Sequence, residues 1–140
     1  MAVRQDDGFS TYVSFANYPS IKLYEKEITP PGVDGGGAVE THTMRNTAWR
    51  TKGPKHLKSM DDLTFTAAFA TDVYSDVMSA VNENQLITVH FPDGHTLAVW
   101  GFITSFKPNQ VKEGDQPTAV VTVVCSLQNN SGVEVAPVYA

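Results

Sequence analysis

Residues 86–106 read LITVHFPDGHTLAVWGFITSF. Two runs rich in Ile, Val, Thr, Phe and Trp flank a Pro-Asp-Gly turn, and that order predicts an antiparallel β-hairpin. Gly101, midway along the second run, predicts a bulge or bend that can split the run into two strands. The alternation also sets Trp100, Phe102 and Phe106 on one face, the face expected to enter the core. After a polar loop, KPNQVKEGDQP (107–117), comes TAVVTVVCSL (118–127), a long β-branched strand. Its Ala119, Val121, Val123 and Cys125 face is wholly apolar, whereas its Val120, Thr122 and Val124 face is mixed. As a free edge such a strand would recruit other chains, so it is expected to be central or to have its edge met by a defined partner.

Outward from the hairpin, more strands appear. DLTFTAAF (62–69) alternates Leu63, Phe65, Ala67 and Phe69 against Thr64, Thr66 and Ala68, a strand with one buried face. SIKLYEKEI (20–28) sets Ile21 and Leu23 opposite Lys22, Tyr24 and Lys26, and the prolines and glycines of TPPGVDGGG (29–37) end it. TDVYSDVMSAVNEN (71–84) changes period: Val73, Tyr74, Val77, Met78 and Val81 recur at helical spacing, behind Thr71 and Asp72 at the N-terminal end. This predicts one amphipathic helix of about three turns, its stripe packed in the core. Residues 1–19 and 128–140 lack core patterns and are expected to extend from the body. One helix among about six strands implies a mainly β (α+β) chain, a β-sandwich or barrel with the helix on one flank, in a single domain over 1–140.

Chemistry is sparse. At 140 residues with 41% hydrophobic and 18% charged content, the chain has the composition of a globular protein. Cys125 is its one cysteine, which excludes an internal disulfide and fits a reducing compartment. No apolar run of about 18 residues is present to span a membrane. The opening MAVRQDDGFSTY has no apolar stretch after its arginine, so no secretory signal is expected and synthesis is expected in a cytoplasm. His90 and His95 flank the turn without a third or fourth ligand nearby, so neither a metal nor any other cofactor is expected. GVDGGG opens no helix and carries no Gly-Lys-Ser/Thr, which makes it a hinge and not a phosphate cradle. No G-x-S-x-G elbow occurs, and Asp6-Asp7 and Asp61-Asp62 read as solvated loop charges. Nothing nominates an active site, and the chain is read as a non-enzyme.

Charge is unevenly placed. The stretch THTMRNTAWRTKGPKHLKS (41–59) holds Arg45, Arg50, Lys52, Lys55 and Lys58, five of ten Lys and Arg residues, and no carboxylate. The other 121 residues hold five Lys and Arg against fifteen Asp and Glu, which leaves them at −10. Trp49 beside Arg50 suits a single-stranded nucleic acid, and a nucleic-acid-binding β-barrel module is the alternative reading. The acidic remainder opposes it, since a polyanion would be repelled beyond a Debye length of about 8 Å. Self-assembly uses both halves of the asymmetry: a basic arm of one copy docks on the acidic surface of the next, a heterologous contact that closes into rings or runs on as filaments. A solvated loop is the plain alternative, although Met44, Trp49 and Leu57 would then lie uncovered. A third reading, a small-molecule-binding sandwich with Trp100 and Phe102 in a groove, competes with their use as core.

These residues also carry a resemblance. EITPPGVDGGG (27–37), THTMRNTAWRTKGPKHLKS (41–59), LTFTAAF (63–69) and ITVHFPDGHTLAVWGFITSFKPNQVKEGDQPTAVVTVV (87–124) resemble, in order, the major tail tube proteins of long-tailed, non-contractile bacteriophages. The resemblance implies a fold similar to the ring protein of type VI secretion, with strands joining an inner barrel in a hexameric ring. Rings would stack into a hollow tube that conducts the genome, in a virion assembled in the host cytoplasm. The partners implied are further copies of the chain, a tape-measure protein, a tail terminator, distal tail proteins and DNA in transit. On this chain the resemblance makes 29–61 the assembly arm, with Arg45, Trp49, Arg50, Lys52, Lys55 and Lys58 as its contacts. A conduit that attracted phosphate would hold DNA instead of passing it, so Glu25, Glu27, Asp93, Glu113 and Asp115 are expected to face the bore.

Overall fold

A computed structural model describes residues 11–19, 21, 24–68 and 74–140. In chain order the strands are β1 (Tyr12–Phe15), β2 (Tyr24–Thr29), β3 (Val33–Asp34), β4 (Ala38–Glu40), β5 (Lys52–Pro54), β6 (Ser59–Met60) and β7 (Leu63–Ala68). A helix, α1 (Tyr74–Ala80), precedes β8 (Gln85–His90), β9 (Thr96–Pro108), β10 (Thr118–Cys125) and β11 (Val138–Tyr139). The hairpin is β8 and β9, paired from Gln85↔Gly101 to His90↔Thr96. Around it the main sheet runs β1-β8-β9-β10-β7-β2, with β11 also beside β9. The chain is mainly β with one flanking helix, as its periodicities predict. β10 lies between β9 and β7 and is central, so the edges are β1 and β2 instead.

One face of this sheet is dry. Phe15, Leu63, Phe65, Ala67, Ile87, Val89, Ile103, Val121 and Val123 are each at most 2% exposed, and they form one cluster. Burying a large apolar side chain of this kind contributes roughly 1.5–3 kcal/mol. The helix supplies only Val77 and Ala80 to that cluster. A seven-residue helix cannot cover six strands, so the sheet covers itself by curling. Its two edges approach as a result: Glu25 Oε1 accepts a hydrogen bond from the Val13 amide at 3.1 Å. Among the described residues no ladder joins β1 to β2, and the curled sheet is open along that seam.

Several expectations change. β9 runs unbroken for 13 residues through Gly101. That glycine is required by close approach: a Cβ there would meet the Val124 carbonyl oxygen at 2.5 Å. The irregularity lies further on, where Thr122 pairs with Ser105 but Val123 with Ile103. The extra residue flips the alternation. Phe106 therefore joins the core side with Ile103, while Trp100 and Phe102 stand half-buried on the outer face with Leu86 and Val124. The helix ends at Ala80, four residues early, because Val81 bridges to Ile103 and Asn82 turns left-handed (φ 66°). Met78, expected in the core, is 63% exposed. Thr71, Asp72, Val73 and Phe69 lie outside the described residues, as do Lys22 and Leu23. Within the segment expected to extend from the body, Tyr12–Phe15 forms an edge strand with Val13 and Phe15 buried. Among the described residues no helix is long and apolar enough to cross a membrane.

The seam makes stability depend on pH. Burial raises the Glu25 pKa above its ordinary 4.5, an effect partly offset by backbone hydrogen bonds. A carboxyl raised on folding contributes fully below its unfolded pKa and loses that contribution as pH rises through the folded value. Glu25→Gln keeps an acceptor for the Val13 amide without the charge. Its urea midpoint, compared with the wild type, is expected to shift upward more at about pH 7 than at about pH 4; an equal shift at both would contradict the burial of that charge.

Candidate assembly interface

Residues 29–61, expected as a loop, are a two-stranded ribbon leaving the sheet between β2 and β7. Its base is a backbone bond from the Asp61 amide to the Gly32 carbonyl (2.9 Å), followed by Val33↔Met60 and Asp34↔Ser59. Gly36 (φ 81°) and Gly37 (φ 89°) then take left-handed conformations that other residues adopt poorly. The predicted hinge thus separates two ladders. The second ladder pairs Ala38↔Pro54, Val39↔Gly53 and Glu40↔Lys52, and continues through the Thr41 amide to the Thr51 carbonyl at 2.9 Å.

The tip is organised by one side chain. Asn46 Oδ1 accepts from the Thr43 amide at 3.1 Å, and Asn46 Nδ2 donates to the Trp49 carbonyl at 2.8 Å. The Asn46 amide returns to the Thr43 carbonyl at 3.0 Å. An ordered tip presents its side chains outward. Met44 is 101% exposed, and Trp49 and Leu57 are each 83% exposed. Arg45, Arg50, Lys52, Lys55 and Lys58 are all exposed as well. Among the described residues none of these five cations has an ion-pair partner; the pairs present are His42–Glu40, His95–Asp93 and Lys112–Asp115. The ribbon gathers all six expected contact residues on one element, with their side chains exposed.

The five carboxylates expected at the bore are not brought together. Glu25 is at the seam. Asp93 lies in the β8–β9 turn, 2.9 Å from His95, and the His95 amide is the main cause of its lowered pKa. Glu113 and Asp115 lie beyond the other end of β9, whose 13 residues span roughly 43 Å. Asp115 pairs with Lys112 at 3.3 Å. Glu27 is exposed on β2 opposite Thr66. Among the described residues no three His, Cys, Asp or Glu converge as metal ligands. The two hairpin histidines have other uses: His90 stacks on Tyr12, and His95 stacks on Tyr139.

Beside the base of the ribbon is a groove that sequence reading misses. It has a volume of about 430 Å³ and is walled by Val33, Leu57 and Met60 from the ribbon and by Leu127, Val135 and Pro137 from the C-terminal segment. That segment does not simply extend. The Val135 amide bonds the Leu127 carbonyl at 2.9 Å, Gln128 bridges to Glu134, and β11 pairs with β9. Leu127 itself is left-handed (φ 55°), a conformation costing a branched residue roughly 1–3 kcal/mol. Cys125, whose thiol burial raises to about 11, with help from Asp62 and Asp61, touches the Asp61 carbonyl at 3.5 Å and ties β10 to the ribbon base.

No protein-family model matches the chain, and no curated protein matches it in sequence. Solved structures do match in fold. A chain from the virion of a native gene transfer agent particle aligns with a TM-score of 0.69 at 11% identity, covering 97% of this chain and 99% of that one. A chain from the tail of an empty gene transfer agent particle, computed with C6 symmetry, aligns at 0.55 with 11% identity over 84% and 83%. A chain from the sixfold-symmetrised anti-feeding prophage baseplate aligns at 0.65 with 8% identity over 100% and 97%. The fold is shared with chains of tail and baseplate assemblies. At these identities the shared property is the fold, and it extends over nearly the whole length of two of the three neighbours.

Asn46→Ala removes the side-chain bonds that Asn46 makes to the Thr43 amide and the Trp49 carbonyl. Hydrogen exchange at the Thr43 amide is expected to accelerate roughly five- to tenfold, the loss of about one hydrogen bond, with Val121 in the core unchanged. Equal rates in the two proteins would mean that the tip is ordered by something else.

Proposed function

We propose that this chain is the subunit of a phage-type tail tube: a structural virion protein that assembles into hexameric rings, stacked as a hollow conduit for DNA. The observation that carries this reading is the projecting ribbon. A lone soluble domain gains nothing by extending five unpaired cations and an exposed tryptophan on an ordered arm, whereas a subunit that must grip its neighbours does. The fold neighbours support the same reading, since the particles they come from include a virion, a tail with C6 symmetry and a sixfold baseplate.

The physics of the open seam agrees. A curled sheet with unpaired β1 and β2 edges can add a neighbour's strands, which removes the edges and extends a barrel around a ring. Repetition then lets each contact stay modest, because many engage together. The outer face near β2 carries Thr64, Thr66, Thr122 and Glu27, with Lys107 in the same row as Glu27 and Lys26 exposed on β2, a polar face of mixed charge that suits a bore better than the basic ribbon would. In this assignment Glu27 and Glu113 are the free carboxylates of the bore, while Glu25, Asp93 and Asp115 are engaged within the subunit. A length-setting tape-measure protein would occupy the bore during assembly, with terminator and distal proteins at its ends. The role is mechanical, with no reaction to catalyse.

Arg50→Glu combined with Lys52→Glu tests the ribbon directly. Both side chains are exposed, so the variant is expected to keep the wild-type urea midpoint. Negative-stain microscopy is expected to show hollow striated cylinders for the wild type and none for the variant. Normal cylinders from the variant would exclude the ribbon as the joint. Retention of labelled oligonucleotides by the free wild-type protein, weakening with salt, would favour the nucleic-acid reading instead.

A further inference from the structure

The ribbon needs a receiving surface, and we infer that the groove at the ribbon's base accepts the ribbon tip of a second copy, with Trp49 as the inserted anchor. This rests on the self-assembly reading above and specifies its contact. Three observations converge on it.

The first is chemical fit. The groove is walled by Val33, Leu57, Leu127, Val135 and Pro137, and its volume of about 430 Å³ accommodates an indole. Trp49 at 83% exposure is the largest uncovered apolar group of the tip. Buried tryptophan and arginine are the commonest anchors of protein interfaces, and the tip offers Trp49 next to Arg50.

The second is charge. Glu134 lines the groove, and the carboxylates of Asp61 and Asp62 are close enough to act on Cys125 at the same base. Among the described residues none of the three has an ion-pair partner. Arg45 and Arg50 at the tip are likewise unpaired. Lys58 and His56 also line the groove, so the root is mixed, with Glu134, Asp61 and Asp62 outnumbering its one lysine. The far end, residues 41–51, carries Arg45 and Arg50 and no carboxylate. On balance, opposite ends of identical ribbons attract.

The third is length. Gly32 to Asn46 is fourteen residues, which fully extended would reach roughly 46 Å, and the left-handed Gly36 and Gly37 and the turn from Thr43 to Asn46 shorten that reach. β9, the longest strand of the body, has 13 residues and spans roughly 43 Å. The tip therefore reaches a copy whose groove lies less than one body length away. The contact is tip to base, heterologous and repeatable without limit. Leu127, held left-handed in the groove wall by the Val135 amide, is the local strain expected where a surface is shaped for a ligand.

Photocrosslinking separates this contact from the reading beneath it. Chains carrying benzoylphenylalanine at position 49 are doped at about one in ten into unmodified protein, so that the polymer forms around them. Irradiation of the polymer is expected to give a crosslinked dimer at least tenfold above that from dilute, unassembled protein, with the attachment mapped to 57–60 or 127–137 of the second chain. Attachment elsewhere on a second chain would overturn the groove and leave the ribbon as an assembly element. Polymer without any dimer would overturn both. As a control on chemistry, Trp49→Ala is expected to raise the concentration needed for polymerisation at least tenfold, and Trp49→Phe to change it less than about threefold. Indistinguishable thresholds for all three proteins would also overturn the anchor.

Discussion

A seven-stranded sheet that buries one whole face by curling on itself is the constraint from which the other features follow. With Leu63, Phe65, Ile87, Ile103, Val121 and Val123 enclosed by their own strands, the body has no need of residues 29–61 for its core. That frees the ribbon to project. The same curling brings β1 and β2 together, with no ladder between them among the described residues, and the Glu25 carboxylate crosses the seam to the Val13 amide. A partly exposed edge is a hazard in a monomer and a joint in an assembly.

Electrostatics then sorts the parts. The body is acidic, the ribbon basic, and among the described residues the ribbon's five Lys and Arg have no ion-pair partner. Exposed ion pairs contribute about 1 kcal/mol or less each, so charge alone does not hold copies together. In the proposed assembly its effect is to set which surfaces meet and to speed their encounter. Apolar groups would supply the rest: Trp49 and Met44 at the tip, Leu57 and Val135 at the base. The division suits a polymer that must be specific in geometry yet built from weak repeated contacts.

Much of this was legible from residue order. The Pro-Asp-Gly turn between β-branched runs announced β8 and β9, and the two faces of 118–127 announced a strand, because both signals are local; that it is central and not an edge met by a partner came from the pairing with β9 and β7. The helix was legible in place but not in length. Its end depends on Val81 pairing with Ile103 across the fold, which no window of sequence contains. The same holds for β9. Gly101 looked like the break, yet its cause is the Val124 carbonyl packed against it, and the true irregularity at 103–105 arises from pairing with Thr122 and Val123. The basic character of the ribbon was legible through charge clustering. Its order was not, since short ladders between glycines and prolines have no periodicity to read. The groove was invisible, because its walls come from segments about seventy residues apart that meet only after folding.

A helical reconstruction of the assembled polymer, at a resolution that shows side chains, tests the central claim most directly. The account predicts that the ribbon tip lies against a neighbouring copy, with Trp49 buried and Arg50 near a carboxylate of that copy. A ribbon that lies in solvent, or folds back on its own body, would contradict it.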